Sequence, residues 1–264
     1  MPFIRAGGLV VHYRLEGQAG APVVMLANPL GTNLHLWDGQ MAALLPKYRV
    51  LRYDMRGHGL TDLGPNADYT IDDLADDAIA LLDALKLGLV HFCGLSIGGM
   101  TGQKLGIKAG KQFLSLTLCN TALRHATAQL WQDRIDTIRQ GGMAPVVEPG
   151  LQRWFTPEFF RDNPEIIQGF RNLLSRTPAA GYIGCCAALR DADLTNETPK
   201  IACPTLVVIG DSDLAAPPEA GKALARAIKG SRLVELKHCA HISAVEQPAA
   251  LNAALTGFLD GSPG

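Results

Sequence analysis

Six short runs constrain this chain more than any other feature: Val23 to Ala27, Val50 to Tyr53, Leu89 to Cys93, Leu114 to Cys119, Thr205 to Ile209 and Leu233 to Leu236. They are mostly apolar, rich in β-branched residues and lack polar alternation, as strands buried on both faces require. Segments of helical spacing separate them. In Thr70 to Leu87, residues Ile71, Leu74, Ala78, Leu81, Leu82 and Leu85 recur at three- and four-residue steps, and Thr70 with Asp73 forms a capping box. Pro218 to Ile228 and Pro248 to Leu259 read the same way. Such alternation predicts an α/β fold, a mostly parallel sheet with helices on both faces, whose right-handed crossovers set most of the topology. Leu9 to Leu15 alternates apolar and polar residues instead and reads as an exposed antiparallel strand.

The alternation stops between residues 121 and 198. That stretch holds no β-branched run, carries aromatics including Trp131, Trp154, Phe155 and Tyr182, and has helical patches broken by Pro145, Pro149, Pro157, Pro164 and Pro178. It is expected to be a helical cap inserted into a core domain of residues 1–120 and 199–264. The cap would sit over the C-terminal ends of the strands, where open α/β sheets bind ligands. Trp131 and Trp154 either line a pocket there or pack the cap onto the sheet.

A chain of 264 residues, 47% hydrophobic, is long enough for one large domain or one domain with an insertion. With 24 basic against 25 acidic residues, it has no charge excess to attract nucleic acid or an anionic membrane, so small molecules are the expected partners. No signal peptide or membrane span is visible at the N-terminus, and a cytoplasmic location is expected. The six cysteines show no C-x-x-C spacing and read as small core residues in a reducing compartment, with no metal site indicated.

The chemistry is expected in Gly94-Leu95-Ser96-Ile97-Gly98. A serine fenced by glycines after an apolar run fits a strained turn between a strand and a helix starting near Gly98, with Ser96 raised as a nucleophile. The Ile97 N–H, at the helix start, would face an oxyanion. A serine needs a base, and the base needs an orienting acid. Both are available after later strands, in the order nucleophile, acid, histidine. Asp213 is preferred to Asp211 as the acid because the following Leu-Ala-Ala-Pro leaves room for a turn towards the histidine, whereas Asp211 reads as a turn residue. His241, leading into the terminal helix, is preferred to His238. A second oxyanion donor is expected from the Leu30 N–H in Asn28-Pro29-Leu30-Gly31-Thr32. His58, in a Gly-x-Gly turn ahead of Ser96, is a rival base but fits a structural loop role better.

With these residues in place the chain resembles the α/β-hydrolase superfamily, and within it the 3-oxoadipate enol-lactonases of the β-ketoadipate pathway. The likeness runs from about Leu9 to Leu259. Its more particular motifs are the Asn28 to Thr32 loop with Trp37, Cys119-Asn120-Thr121-Ala122, and Arg153-Trp154-Phe155-Thr156; the elbow and triad motifs mark only the superfamily. The resemblance implies an eight-stranded sheet, Ser96 as nucleophile, Asp213 as orienting acid and His241 as base. It also implies opening of a carboxylated enol-lactone through an acyl-enzyme, without metal or organic cofactor. A free substrate carboxylate should meet an arginine, for which Arg124 and Arg134 are the candidates. Departures are Pro29 where a serine is expected, the Lys237-His238-Cys239 run, and residues 123 to 150, the cap region that should select substrate. A general carboxylesterase, a cofactor-free haloperoxidase-like perhydrolase and a non-catalytic ligand-binding relative are the alternatives.

Overall fold

A computed structural model describes residues 1–261. Its strands are β1 (Phe3–Ala6), β2 (Leu9–Glu16), β3 (Val23–Ala27), β4 (Arg49–Tyr53), β5 (Val90–Leu95), β6 (Phe113–Cys119), β7 (Thr205–Gly210) and β8 (Arg232–Leu236). They form one sheet in the order β1-β2-β4-β3-β5-β6-β7-β8. Pairing is antiparallel from β1 to β4 and parallel from β4 to β8. All six apolar runs form strands, although Leu89 lies just ahead of β5, and every residue of β3, β5 and β7 is buried. Strand β8 is not buried on both faces as expected, because it is the edge strand of the sheet and leaves Leu233 exposed.

The sequence reading missed β1. It is a four-residue edge strand joined to β2 through Gly7 and Gly8, both at positive φ, and is too short to show a period of its own. Because β1 covers it, β2 is not an exposed edge: Leu9, Val11 and His12 are buried.

The helices outside the long insertion are α1 (Asp38–Leu44), α2 (Ile71–Ala84) and α3 (Ile97–Lys108), then α9 (Pro218–Ala227), α10 (Ser243–Glu246) and α11 (Pro248–Leu259). The Thr70–Asp73 capping box forms as expected, but α2 stops at Ala84, three residues early, because Lys86 turns to positive φ. Helix α3 begins at Ile97, one residue before the expected Gly98, so Ser96 is its N-cap. Five cysteines are buried as core residues; Cys203 is partly exposed.

Between β6 and β7 lie α4 (Ala128–Gly141), α5 (Ala144–Trp154), α6 (Pro157–Asp162), α7 (Pro164–Ser175) and α8 (Ala179–Asp191). Pro145, Pro157 and Pro164 sit in first turns and Pro178 caps α8, where a missing N–H costs nothing. Pro149 does not break a helix as expected: it lies inside α5, and the one bond it removes is to the carbonyl of Pro145 at the helix start. Phe155, Phe159 and Phe170 pack on one another and on Trp154, giving these helices an aromatic core of their own. Helix α8 meets the loop after β4 backbone to backbone. A Cβ on Gly181 would overlap the Gly57 carbonyl, and one on Gly184 would press into the ring of Tyr69, a residue whose backbone N–H donates to the Gly184 carbonyl at 3.1 Å. Among the described residues no helix is long and apolar enough to cross a membrane.

Candidate active site

The elbow follows from close packing at the end of β5. A Cβ on Gly94 would overlap the Gly98 carbonyl, and one on Gly98 would come within 2.5 Å of the Ala27 carbonyl, so strand and helix meet only where both lack side chains. Ser96 takes φ 59° and ψ −118°, a conformation costing about 1–3 kcal/mol for a residue with a Cβ. Its backbone is held from three sides. The Ser96 N–H donates to the Cys119 carbonyl at 2.9 Å, and the Ser96 carbonyl accepts from the Met100 N–H at 3.0 Å and the Thr121 hydroxyl at 2.8 Å.

Asp213 is 2% exposed. Its Oδ1 accepts the Ala215 and Ala216 N–H groups at 2.8 Å each, and its Oδ2 accepts the Asn120 amide at 3.1 Å and the His241 ring Nδ1 at 2.9 Å. Burial alone would raise its pKa, but His241 and these hydrogen bonds hold it below the usual carboxylate value. The ionised carboxylate puts the proton of neutral His241 on Nδ1 and leaves Nε2 as the proton acceptor. Ser96 and His241 line the same pocket. Asp211 instead accepts the His238 and Cys239 N–H groups at 3.1 and 3.2 Å, which makes it the turn residue of its loop.

His58 is fully buried with both ring nitrogens engaged. Its Nδ1 lies 3.1 Å from the Arg56 carbonyl, and Nε2 accepts the Gly31 N–H at 3.0 Å. Burial pushes its pKa down to about 4, so it stays neutral and serves as a strut for the Asn28 to Thr32 loop. That loop brings Leu30 and Pro29 to the pocket, and the Pro29 carbonyl accepts the Thr32 hydroxyl at 2.8 Å. Among the described residues neither the Leu30 nor the Ile97 N–H has an acceptor, as two donors awaiting an oxyanion require.

The opposite wall comes from the inserted helices: Trp131 and Arg134 of α4, Arg153 and Trp154 of α5, and Tyr182 of α8. The Arg134 guanidinium lies 4.8 Å from the Trp131 ring centroid. Burial, then repulsion from Arg134, lowers the Arg153 pKa, and burial pushes the Tyr182 hydroxyl up to about 12. Neither arginine is ion-paired with a carboxylate among the described residues. Arg124, by contrast, does not line the pocket: it is half exposed and drawn to Asp193, 3.8 Å away.

Sequence reasoning missed three residues here. Asn120 adopts φ 48°, accepts the Ser243 hydroxyl at 2.6 Å and donates to both Asp213 and the Ala240 carbonyl. His125 lines the pocket with a pKa lowered to about 4, chiefly by burial and then by nearby His241. Arg153 was visible only as part of the Arg-Trp-Phe-Thr motif. Among the described residues no group of three His, Cys, Asp or Glu side chains is arranged to hold a metal ion.

The family profile described as the alpha/beta hydrolase fold matches residues 22–248, most of the chain. The chain belongs to the α/β-hydrolase family. It is 41% identical to 3-oxoadipate enol-lactonase 2 of Acinetobacter baylyi over 97% of its own length and 95% of that protein's. The crystal structure of the enol-lactonase from Burkholderia xenovorans LB400 superposes with a TM-score of 0.95 at 39% identity, covering 98% of this hydrolase and all of that chain. A thermophilic esterase from Thermogutta terrifontis, solved with malate bound, matches with a TM-score of 0.91 at 25% identity over 98% of each chain.

Proposed function

We propose that this hydrolase opens a carboxylated enol-lactone, converting 3-oxoadipate enol-lactone to 3-oxoadipate during aromatic catabolism in the cytoplasm, with residues 121–198 acting as the cap that selects substrate. The observation that carries this reading is the pair Arg134 and Arg153, two cations facing the Ser96–His241 pocket with no carboxylate paired to either among the described residues. A carboxylate about 4 Å from one such cation gains on the order of 4 kcal/mol before desolvation, enough to favour an anionic substrate over a neutral one. The enol-lactonase relatives support the same substrate class.

In the mechanism His241 Nε2 takes the Ser96 proton as the hydroxyl oxygen bonds to the lactone carbonyl carbon. The Leu30 and Ile97 N–H groups hold the oxyanion, and Asp213 stabilises the imidazolium. Collapse breaks the ring C–O bond and expels an enolate, a better leaving group than an alkoxide, which takes the proton from His241. The enol stays attached to the acyl group and tautomerises to a ketone. Water deprotonated by His241 then bonds to the acyl carbon, and as the bond to the Ser96 oxygen breaks that oxygen takes the proton back from His241, releasing the acid. These steps use only side chains and backbone N–H groups.

The test compares turnover of 3-oxoadipate enol-lactone with that of a neutral aryl acetate, alongside labelling by a serine-directed organophosphonate. The expected result is a kcat/KM at least about 100-fold higher for the lactone and a single adduct on Ser96. Preference for the aryl acetate would make the chain a general carboxylesterase or a perhydrolase. Failure to form an adduct would make it a ligand-binding member of the family.

A further inference from the structure

Glu246, the last residue of α10, is a buried carboxylate that the mechanism above does not use. Its Oε1 accepts both the N–H of Thr156 at 2.9 Å and its hydroxyl at 2.6 Å, while Oε2 accepts the Ala240 N–H at 2.6 Å. Beside it the Trp154 carbonyl accepts the His241 and Ile242 N–H groups, both at 3.1 Å. Residues 153–156 carry Arg153 and Trp154 to the pocket, and residues 240–242 carry the base. The first stretch belongs to the inserted helices and the second follows β8, and they are joined by hydrogen bonds whose common acceptors are one carboxylate and one carbonyl.

We infer that Glu246 is a positioning residue that binds the anion-holding stretch to the His241 loop, so that capture of the substrate carboxylate and orientation of the base are one rigid event. The inference rests on the reading of His241 as base and Arg153 as anion holder. Its physical reason is donor arithmetic. Three donors converge on Glu246, and only a carboxylate accepts on both oxygens. Glutamine in its place turns an NH2 towards a donor, whichever way the amide is flipped, and leaves that donor buried without a partner. The strain falls either on Ala240, next to the base, or on Thr156, three residues from Arg153. A displacement of about 1 Å at a catalytic group can cost on the order of 100-fold in rate.

The test uses the full chain with Glu246→Gln and, separately, Thr156→Val, which preserves shape while removing one donor to Glu246 and the acceptor of the Phe159 N–H at the start of α6. For both, kcat and KM are measured on the aryl acetate and on the carboxylated lactone, with the organophosphonate labelling rate, well below each variant's melting temperature. Glu246→Gln is expected to lower kcat on the aryl acetate about 10- to 100-fold, with labelling slowed in parallel and KM for that ester within about two-fold. Thr156→Val is expected to raise KM for the lactone about 3- to 10-fold, more than it changes kcat on the aryl acetate. A Glu246→Gln protein that melts earlier yet keeps wild-type kcat and labelling rate would overturn the inference and leave Glu246 as scaffold. If that variant does not fold, unchanged KM and kcat in Thr156→Val would do the same. A wild-type preference for the aryl acetate sinks the lactone reading alone, since the aryl-acetate kcat and the labelling rate still decide whether Glu246 positions the base.

Discussion

The two walls of the pocket are built by different means. On the sheet side Ser96, Asp213 and the Leu30 loop stand at strand ends, and each is held by hydrogen bonds that engage the main chain: Ser96 by the Cys119 carbonyl, the Met100 N–H and the Thr121 hydroxyl, Asp213 by the N–H groups of Ala215 and Ala216, and the loop by the His58 ring on the Gly31 N–H. On the helical side Arg134 and Arg153 project from helices whose own core is a cluster of aromatic rings, and among the described residues no carboxylate pairs with either. Geometry on the first wall is therefore set by buried hydrogen bonds that engage the backbone, and charge on the second is carried by replaceable side chains. Under the proposed roles, reaction type and substrate choice can change independently, except where Glu246 and Trp154 join the two walls.

The largest effect should come from the sheet side. Asp213→Asn is expected to lower kcat by about 10⁴-fold, because the amide no longer holds the His241 tautomer, while Asp211→Asn costs less than about ten-fold. Steady-state kinetics of both variants check this, and the reverse ranking would move the acid to Asp211. Next comes the helical wall. Arg153→Ala is expected to raise KM for the carboxylated lactone about 10- to 100-fold, with a smaller change for the aryl acetate. Arg124→Ala should leave both within about two-fold. Equal losses on the two substrates in Arg153→Ala would erase the distinction between the walls.

The third effect is on stability. His58 has a folded-state pKa of about 4 against an ordinary 6.5, so between those values the unfolded chain binds the proton and the folded one does not. Stability is complete above pH 6.5 and is lost as pH falls towards 4, by about 2–3 kcal/mol at pH 4.5 from this residue. Urea titrations at pH 7 and 4.5 should show that loss shrinking in His58→Gln. An unchanged difference would mean that His58 is not the acid-sensitive strut of the sheet wall.

Much of the sheet wall was legible in the sequence because its signals are local. Glycines flank the elbow serine, and an aspartate and a histidine each follow an apolar run at the distance a strand-end loop needs. The short β1 was not legible by period, although its Gly7-Gly8 pair is a hairpin signal. Asn120 escaped notice because its use depends on a left-handed backbone and on three partners far along the chain. The helical wall was read less well for a related reason. Arg124 and Arg153 are equally plausible as letters, and what separates them is that Asp193 draws Arg124 outward while α5 turns a half-buried Arg153 to the pocket. Pro149 misled because a proline's effect depends on which carbonyl it deprives of a partner.

The glycine contacts of α8 bear on how this scaffold could be re-engineered. Gly181 meets Gly57 and Gly184 meets Tyr69 with no room for a methyl group, so α8 is keyed to the sheet half as a dovetail is to its slot. A transplanted recognition segment should therefore be spliced in ahead of Pro178 and leave α8 with the recipient. A graft cut at residue 198 instead has to import both glycines in register, or the new helices will have no seat.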